Sequence, residues 1–374
     1  GDEGARVIAE NLKSLTSLDL WSNQIGDEGA KVIAENLKSL TSLDLGNNQI
    51  TYEGAKYIAE NLKSLTSLDL KGNKIGYHGA NVIAENLTSL TLLDLKSNKI
   101  GNEGAKVIAE NLKSLTSLNL GDNKIVFKGA KVIAENLAYL TSLGLGSNKI
   151  RDEGAKVIAE NLKSLSSLDL GSNEIEEEGA LAIAENLTSL TSLDLGANLI
   201  GDEGAKAIIQ KFQFIKRLNI AKNRIKSFTP FLHILQSNYE IELKNDYSNI
   251  SSGLNVSGNK FVEPPQEIVY QGKEAILEYY KQKELTGSKP LLEAKLVLLG
   301  DGRAGKTSLA CRLLKKELPT EADRTKGVDI VIGEYKYPVT QGEFKLHIWD
   351  FAGQDKYKPL HQFFYSESSL YVFV

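Results

Sequence analysis

The chain has 374 residues, 41% hydrophobic and 25% charged, a globular composition that excludes a disordered or collagen-like chain. Its 44 basic and 48 acidic residues leave a net charge of -4, so there is no basic nucleic-acid footprint and no nucleic-acid partner is expected. The single cysteine, Cys311, excludes an internal disulfide framework; no apolar run reaches the length of a membrane span, and the four histidines show no metal-ligand spacing.

Self-similarity dominates residues 1–225, where nine copies of a 25-residue unit follow one another without insertion. The second copy reads GDEGAKVIAENLKSLTSLDLGNNQI. Its second half carries Leu40-x-x-Leu43-x-Leu45-x-x-Asn48-x-Ile50, a leucine-rich-repeat signature. Alternation of Leu43 and Leu45 predicts a short strand. The spacing of Ala30, Ile33, Ala34, Leu37 and Leu40 predicts one stripe of a helix, with Asp27 as its N-cap. One strand and one helix cannot bury both faces alone, so stacking closes a core between a parallel inner sheet and outer helices. At roughly 4.8 Å per strand, the nine strands span about 38 Å. The diverged ninth copy keeps Gly204 for close helix approach, Leu218, Ile220 and Ile225 for the core, and Asn223 as a buried amide bonded to its turn and the next coil. The helix half resembles the ribonuclease-inhibitor-like class of leucine-rich repeats, with a shorter unit.

Between the core leucines, Asp19, Asp44, Asp69, Asp94, Asp169 and Asp194 line an exposed stripe, read as a solvated face satisfied by water and by neighbouring serines such as Ser42. Trp21, at a strand exit, and Tyr77 and Phe127, at the expected N-cap position, depart from the repeat. They are the candidate surface for a protein partner, and Phe127 forgoes a cap that is typically worth about 1 kcal/mol.

After Ile225 the period breaks. Thr229-Pro230 predicts a helix start. Leu254-x-Val256-x-x-Asn259-x-Phe261 predicts a last imperfect strand and turn, and residues 267–283, interrupted by Gly272, a helical stretch. Residues 226–284 therefore read as a cap on the solenoid, and 285–292 as a linker.

The third region, 293–374, carries chemistry. A strand over 294–299 runs into Gly300-Asp-Gly-Arg-Ala-Gly305-Lys306-Thr307 and then a helix from Ser308. This is G-x-x-x-x-G-K-T in its strand–loop–helix context. Backbone N–H groups of Gly302, Arg303, Ala304, Gly305 and Ser308, with the helix dipole, are expected to hold phosphate oxygens. Lys306 reaches the outer phosphates, and the Thr307 hydroxyl ligates Mg²⁺. A second strand ends in Asp350-Phe-Ala-Gly353-Gln354. Asp350 is expected near the metal, Gly353 near the terminal phosphate, and Gln354 is the candidate catalytic group that orients water. Thr325, in the polar loop between the two motifs, is a further candidate metal ligand.

The repeats, the cap and the strings GDGRAGKTSL, RTKGVDI, WDFAGQ and HQFFYSESSLYVFV together resemble the Roco family, whose Ras-like domain is called Roc. The fold class expected is α/β: a leucine-rich-repeat solenoid followed by an incomplete Ras-like P-loop domain. The resemblance implies GTP and GDP as ligands, Mg²⁺, slow hydrolysis that switches conformation, and dimerisation of the full-length protein through a COR domain outside this sequence. Without methionine, and opening inside a repeat, the chain is expected to be an internal piece of a longer protein. An Asn/Thr-Lys-x-Asp guanine reader is expected after Val374, and these residues alone are expected to bind nucleotide weakly. The acceptor-like sequences at Asn86 and Asn186 are expected to be unmodified in a cytoplasmic protein. The competing expectations are a non-catalytic repeat scaffold and an ATP-driven signalling NTPase.

Overall fold

The structure is a computed structural model. It describes the chain except residues 213–214, 237–239, 244–251, 287–292, 300, 302–303, 315–327, 337–342 and 352–368. At 286, 293–294, 328–336, 343–345, 351 and 369 only the backbone is described. The chain forms two compact units, Gly1–Leu285 and Thr286–Val374.

The first unit is a solenoid. Its helices are α1 (Asp2–Asn11), α2 (Asp27–Asn36), α3 (Tyr52–Asn61), α4 (Gly76–Asn86), α5 (Gly101–Asn111), α6 (Phe127–Asn136), α7 (Arg151–Asn161), α8 (Glu177–Asn186) and α9 (Gly201–Lys211). They alternate with three-residue strands β1 (Ser17–Asp19), β2 (Ser42–Asp44), β3 (Ser67–Asp69), β4 (Leu92–Asp94), β5 (Ser117–Asn119), β6 (Ser142–Gly144), β7 (Ser167–Asp169), β8 (Ser192–Asp194) and β9 (Arg217–Asn219). Successive strands pair in parallel and in exact repeat register, Leu18 opposite Leu43 and Leu43 opposite Leu68. The predicted helix stripe and both strand leucines are buried in every interior repeat. Each such leucine contributes roughly 1.5–3 kcal/mol by leaving water.

The buried asparagines run as a ladder. The amide of Asn48 donates to the carbonyls of Leu20, Leu45 and Gly46, and its Oδ1 accepts from the N–H of Asn23 and Ile25 at 3.0 and 2.8 Å. The predicted partner coil is thereby corrected: the side chain of Asn223 reaches its own turn and the preceding coil (Leu195 O at 2.7 Å), and its backbone N–H donates to Asn259 of the following one. On the opposite edge, Lys38, Lys63, Lys113 and Lys163 cap the carboxyl ends of their helices. Lys38, for example, donates to Ala34 O at 2.9 Å and to Asn61 of the next repeat at 2.8 Å, placing each cation where the helix dipole favours it.

The expected N-cap role of Asp27 is also corrected. Asp27 is the first residue of its own helix, and its Oδ1 accepts from Thr51 N and Gly54 N, at 2.8 and 2.9 Å, at the start of the next helix. Asp2, Asn102 and Asp152 do the same one repeat on. The residue so capped (Gly26, Thr51, Val126, Glu176) is extended, with φ between -99° and -118°. Where this position instead holds Tyr52, Tyr77, Phe127 or Glu177, the next helix begins a residue earlier, at Gly76, Gly101, Arg151 or Gly201. These four residues have φ of +63°, +69°, +56° and +63°. Their N–H groups donate to the carbonyls of Asn98, Asn123, Asn173 and Asn223. Glycine holds that left-handed turn without steric cost; Arg151 does not.

The cap follows the repeats. At the predicted helix start, a 3₁₀ turn (Thr229–Phe231) with Pro230 in its first turn leads into the short α10 (Leu232–Leu235). Strands β10 (Ile241–Glu242) and β11 (Gly253–Asn255) extend the parallel sheet in the order β9-β11-β10. Phe228, Phe231 and Phe261 stack at 4.9–6.4 Å and close the core, all buried. Helices α11 (Gln266–Val269) and α12 (Lys273–Thr286) follow, separated at Gly272, whose φ of +105° breaks the helix where predicted. Tyr280 donates its hydroxyl to Glu263 O, and Lys283 pairs with the Glu263 carboxylate.

The second unit contains β12 (Glu293–Leu299), α13 (Lys306–Leu313), β13 (Val328–Lys336), β14 (Glu343–Phe351) and β15 (Ser369–Phe373). Their sheet order is β13-β14-β12-β15, with β12 parallel to both neighbours and β13 antiparallel to β14. Central β12 is covered on both faces: Leu296 and Leu298 pack with Ala310 and Ile348, and Val297 and Leu299 with Trp349 and Tyr371. This explains its near-continuous apolar run.

Candidate functional site

The site lies at the carboxyl ends of β12 and β14, the edge of a parallel sheet where α/β folds place ligands. β12 pairs with β14 through Leu298 opposite Asp350, so the strand carrying Asp350 ends beside the loop that opens α13. Gly305 precedes the helix with φ +96°, a conformation that L side chains rarely adopt and that turns the backbone into the first helical turn. Ala304 N donates to Asp301 O at 3.2 Å, and Leu309 N to Gly305 O at 2.8 Å. Ala304 is exposed and Ser308 half-buried in the first turn of α13.

Lys306 and Asp350 are buried, at 6% and 2% exposure. The Lys306 ammonium donates to Asp301 O at 2.8 Å, folding back along its own loop. Burial pushes its pKa down, while the charges of Asp350 and Asp301 pull it up. The Thr307 hydroxyl donates to Asp350 Oδ2 at 2.5 Å. A cation, a hydroxyl and a carboxylate from two widely separated motifs thus share one strand–helix junction. Their oxygens are hard donors of the kind Mg²⁺ takes, and the ammonium and first-turn N–H groups suit an anion. Gly302, Arg303, Thr325, Gly353 and Gln354 lie outside the described residues.

On the solenoid, Trp21, Tyr77 and Phe127 are exposed at 49%, 41% and 38%, but they do not form one patch. Trp21 follows β1 and lies against Gly46, where an added Cβ would meet its Cδ1 at 2.8 Å. Tyr77 and Phe127 sit in the first turns of α4 and α6, two repeats apart. Neither is an N-cap as expected: Ile75 and Val126 hold those positions. Sequence reasoning missed Leu92, exposed on β4 where neighbouring strands carry serine, and Tyr139, exposed after α6. Both were visible as breaks in the repeat.

The aspartate stripe is held differently from the expectation. Each carboxylate accepts the N–H two residues on, as Asp44 does from Gly46 at 2.8 Å and Asp169 from Gly171 at 2.9 Å. Asn119 and Arg217 bridge to Asp94 and Asp194. Burial raises the pKa of Asp44, Asp94 and Asp169 above the ordinary carboxylate value. Among the described residues no cluster of three or more His, Cys, Asp or Glu is set to hold a metal, and no helix is long and apolar enough to cross a membrane.

Residues 295–374 match the family profile described as Ras of Complex, Roc, domain of DAPkinase. Leucine-rich-repeat profiles match residues 13–75 and five segments from 86–109 to 186–208. The chain belongs to the Roco family: leucine-rich repeats followed by a Roc domain. A Roc-COR-CHAT protease from an unknown prokaryotic organism is 47% identical over 93 residues, covering 22% of this chain and 9% of the relative. Its counterpart in Runella zeae is 43% identical over 93 residues, 22% of this chain and 10% of the relative. Ras-related protein Rab-36 of Mus musculus is 37% identical over 84 residues, 22% of this chain and 31% of the relative. The matched stretch is thus about a tenth of the first two relatives. Among solved structures, GDP-bound Roco2 RocCORdC of Methanosarcina barkeri is 44% identical, covering 23% of this chain and 26% of that one, with a TM-score of 0.21. The Arabidopsis HAESA repeat ectodomain is 22% identical, covering 58% of this chain and 36% of that one, with a TM-score of 0.43.

Proposed function

We propose that the protein is a GTP-binding and GTP-hydrolysing switch, with residues 293–374 as the nucleotide-binding part, 285–292 as a linker, and the solenoid (1–225) with its cap (226–284) as a protein-interaction arm. The observation that carries this reading is the Thr307–Asp350 contact beside buried Lys306, because it joins two nucleotide-site motifs at one point. On this reading the ammonium of Lys306 leaves Asp301 O for a phosphate oxygen, exchanging a neutral acceptor for a charged one. The first turn of α13 offers N–H groups and its dipole to the same phosphates. Thr307 Oγ1 and Asp350 would hold Mg²⁺, which supplies charge neutralisation when bound. Gly302, Arg303 and Gly353 are assigned to phosphate contact, Thr325 to the metal, and Gln354 to orienting water. GTP is named over ATP because the Asp-x-x-Gly-Gln element and the Roc match run together, and dimerisation of the full-length protein is part of the same reading.

Calorimetric titration of the full-length protein with GTP and Mg²⁺ tests the reading. Thr307→Ala removes an oxygen donor and should weaken binding by about tenfold or more, equivalent to about 1.4 kcal/mol, and should blunt its Mg²⁺ dependence. Unchanged affinity and unchanged Mg²⁺ dependence would remove the assignment.

A further inference from the structure

Neighbouring repeats bury the same core side chains, and Leu143, Leu145, Ile150 and Ile158 are as buried as their counterparts along the solenoid. The seams between repeats differ instead in their polar latches, through single departures in a near-identical sequence. Each repeat of a solenoid leans only on its neighbours, so the array parts first at the seam with the weakest joining terms.

The seam between the fifth and sixth repeats (101–125 and 126–150) carries three latches. Asn102 accepts from Val126 N and Gly129 N at 3.0 and 3.2 Å, Lys113 donates to Asn136 at 2.8 Å, and Lys149 N donates to Ile125 O at 3.0 Å. The seam between the seventh and eighth repeats (151–175 and 176–200) is held likewise. Asp152 accepts from Glu176 N and Gly179 N, Lys163 donates to Asn186 at 2.7 Å, and Leu199 N donates to Ile175 O at 2.7 Å. Arg151 also pairs there with Glu174 at 3.0 Å.

The seam between these two, joining the sixth repeat to the seventh, loses all three latches. Phe127 stands where Asn102 and Asp152 stand, so it offers no acceptor to α7. Ala138 stands where Lys113 and Lys163 stand, although Asn161, the acceptor such a lysine would reach, is still in place. Ile150 has turned helical, with φ -71° and ψ -40°, and among the described residues no backbone bond joins Glu174 N to its carbonyl.

Two other seams lack both the helix-start latch and the lysine: Tyr77 and Thr88 replace them ahead of the fifth repeat, and Glu177 and Thr188 ahead of the ninth. Both gain bonds on the strand side. Asn119 donates to Asp94 at 2.8 Å and Ser97 to Asp122 at 2.9 Å, while Asn219 donates to Asp194 at 2.9 Å with Arg217 beside it. At the sixth-to-seventh seam Asp169 faces Gly144, which has no side chain to donate. The side-chain bonds left across it, among the described residues, are Ile150 N to Asn173, Asn173 to Leu145 O and Ser166 to Thr141 O.

We infer that the solenoid is jointed between its sixth and seventh repeats. This seam opens ahead of the interior seams on either side, and repeats one to six and repeats seven to nine with the cap act as two cooperative blocks. A partner touching one block leaves the joint free, whereas one spanning both must hold it closed. The joint belongs to the scaffold, so it stands or falls independently of nucleotide binding at residues 293–374.

Amide hydrogen exchange of the full-length protein, read by mass spectrometry, tests this. The reporters are N–H groups whose acceptors lie across a seam: Leu145 and Ser147 at the joint, Leu120 and Asp122 one seam before it, Leu170 and Ser172 one seam after it. Protection at the joint should be lower than at both neighbours by about tenfold or more. Phe127→Asp with Ala138→Lys restores the acid and the lysine, and should raise protection at the joint by about tenfold while leaving the neighbouring seams unchanged. Asn102→Ala with Lys113→Ala should create a second weak seam at Leu120 and Asp122. Lys113→Ala alone gives the same direction if that pair fails to fold. Equal protection at the three seams, a joint unmoved by the restoring pair, or exchange of all reporters together through global unfolding would overturn the inference.

Discussion

Of the four helix starts that turn left-handed, Gly76, Gly101, Arg151 and Gly201, Arg151 alone lacks glycine's freedom. It holds φ +56° because Phe127 offers no acceptor to the following helix start; at the equivalent turns Gly76, Gly101 and Gly201 carry no such strain. Arg151→Gly should raise stability by about 1 kcal/mol in urea unfolding, since the exposed Arg151–Glu174 pair contributes little. Phe127→Asp should restore the missing acceptor and stabilise by a similar amount, about 1 kcal/mol. The two changes address one strain, so the double variant should gain less than their sum. Additive gains would show that the two positions are not linked. Conversely, Asp27→Ala should cost about 1–2 kcal/mol, because it removes the acceptor for Thr51 and Gly54. A capping acid was legible in the sequence, but its partner was not: a period of 25 residues says that Asp27 recurs, not that its side chain leans onto the next coil.

At the scale of the strand, the aspartate stripe is a set of turn-forming acceptors that tolerate burial at some cost. The folded chain raises the pKa of Asp94 and Asp169 mainly by burial. An acid raised in the folded state is neutral in both states at low pH. Above its unfolded pKa it ionises first in the unfolded chain, so its effect on stability turns unfavourable as pH rises through the window above 3.8 toward the raised value. Asp169→Asn keeps an acceptor for Gly171 N, as Asn119 and Asn219 do for their own turns, and drops the charge facing Asp194. It should stabilise at neutral pH and lose that advantage near pH 3.8 and below. A neutral-pH loss that persists in acid would mean the carboxylate serves its turn in a way an amide cannot. The parallel strands and outer helices were readable because apolar period and length agree at every repeat. The placement of β10 outside β11 was not, because neither segment repeats anything and their order depends on packing against the end of the sheet.

For the whole molecule, two separately described units answer two different demands. The solenoid satisfies its buried polar groups through side chains that reach the adjacent coil, as Asn48, Asp27 and Lys38 each do, so its stability is expected to be shared between neighbours. The second unit builds a central strand buried on both faces and brings Lys306, Thr307 and Asp350 together at the carboxyl end of its sheet. The loop, Lys306, Thr307 and Asp350 were legible because glycine spacing and the strand–helix context leave few alternatives; the fold of Lys306 onto Asp301 O was not, because a bond to a backbone carbonyl leaves no mark on the sequence. The most direct measurement is phosphate release from GTP by the full-length protein and by its Lys306→Ala variant, with ATP alongside. Lys306→Ala should lower GTP turnover by at least about a hundredfold, equivalent to about 2.7 kcal/mol, with ATP a poor substrate for both. Equal release of phosphate by the two proteins would contradict a nucleotide-hydrolysing site at this loop.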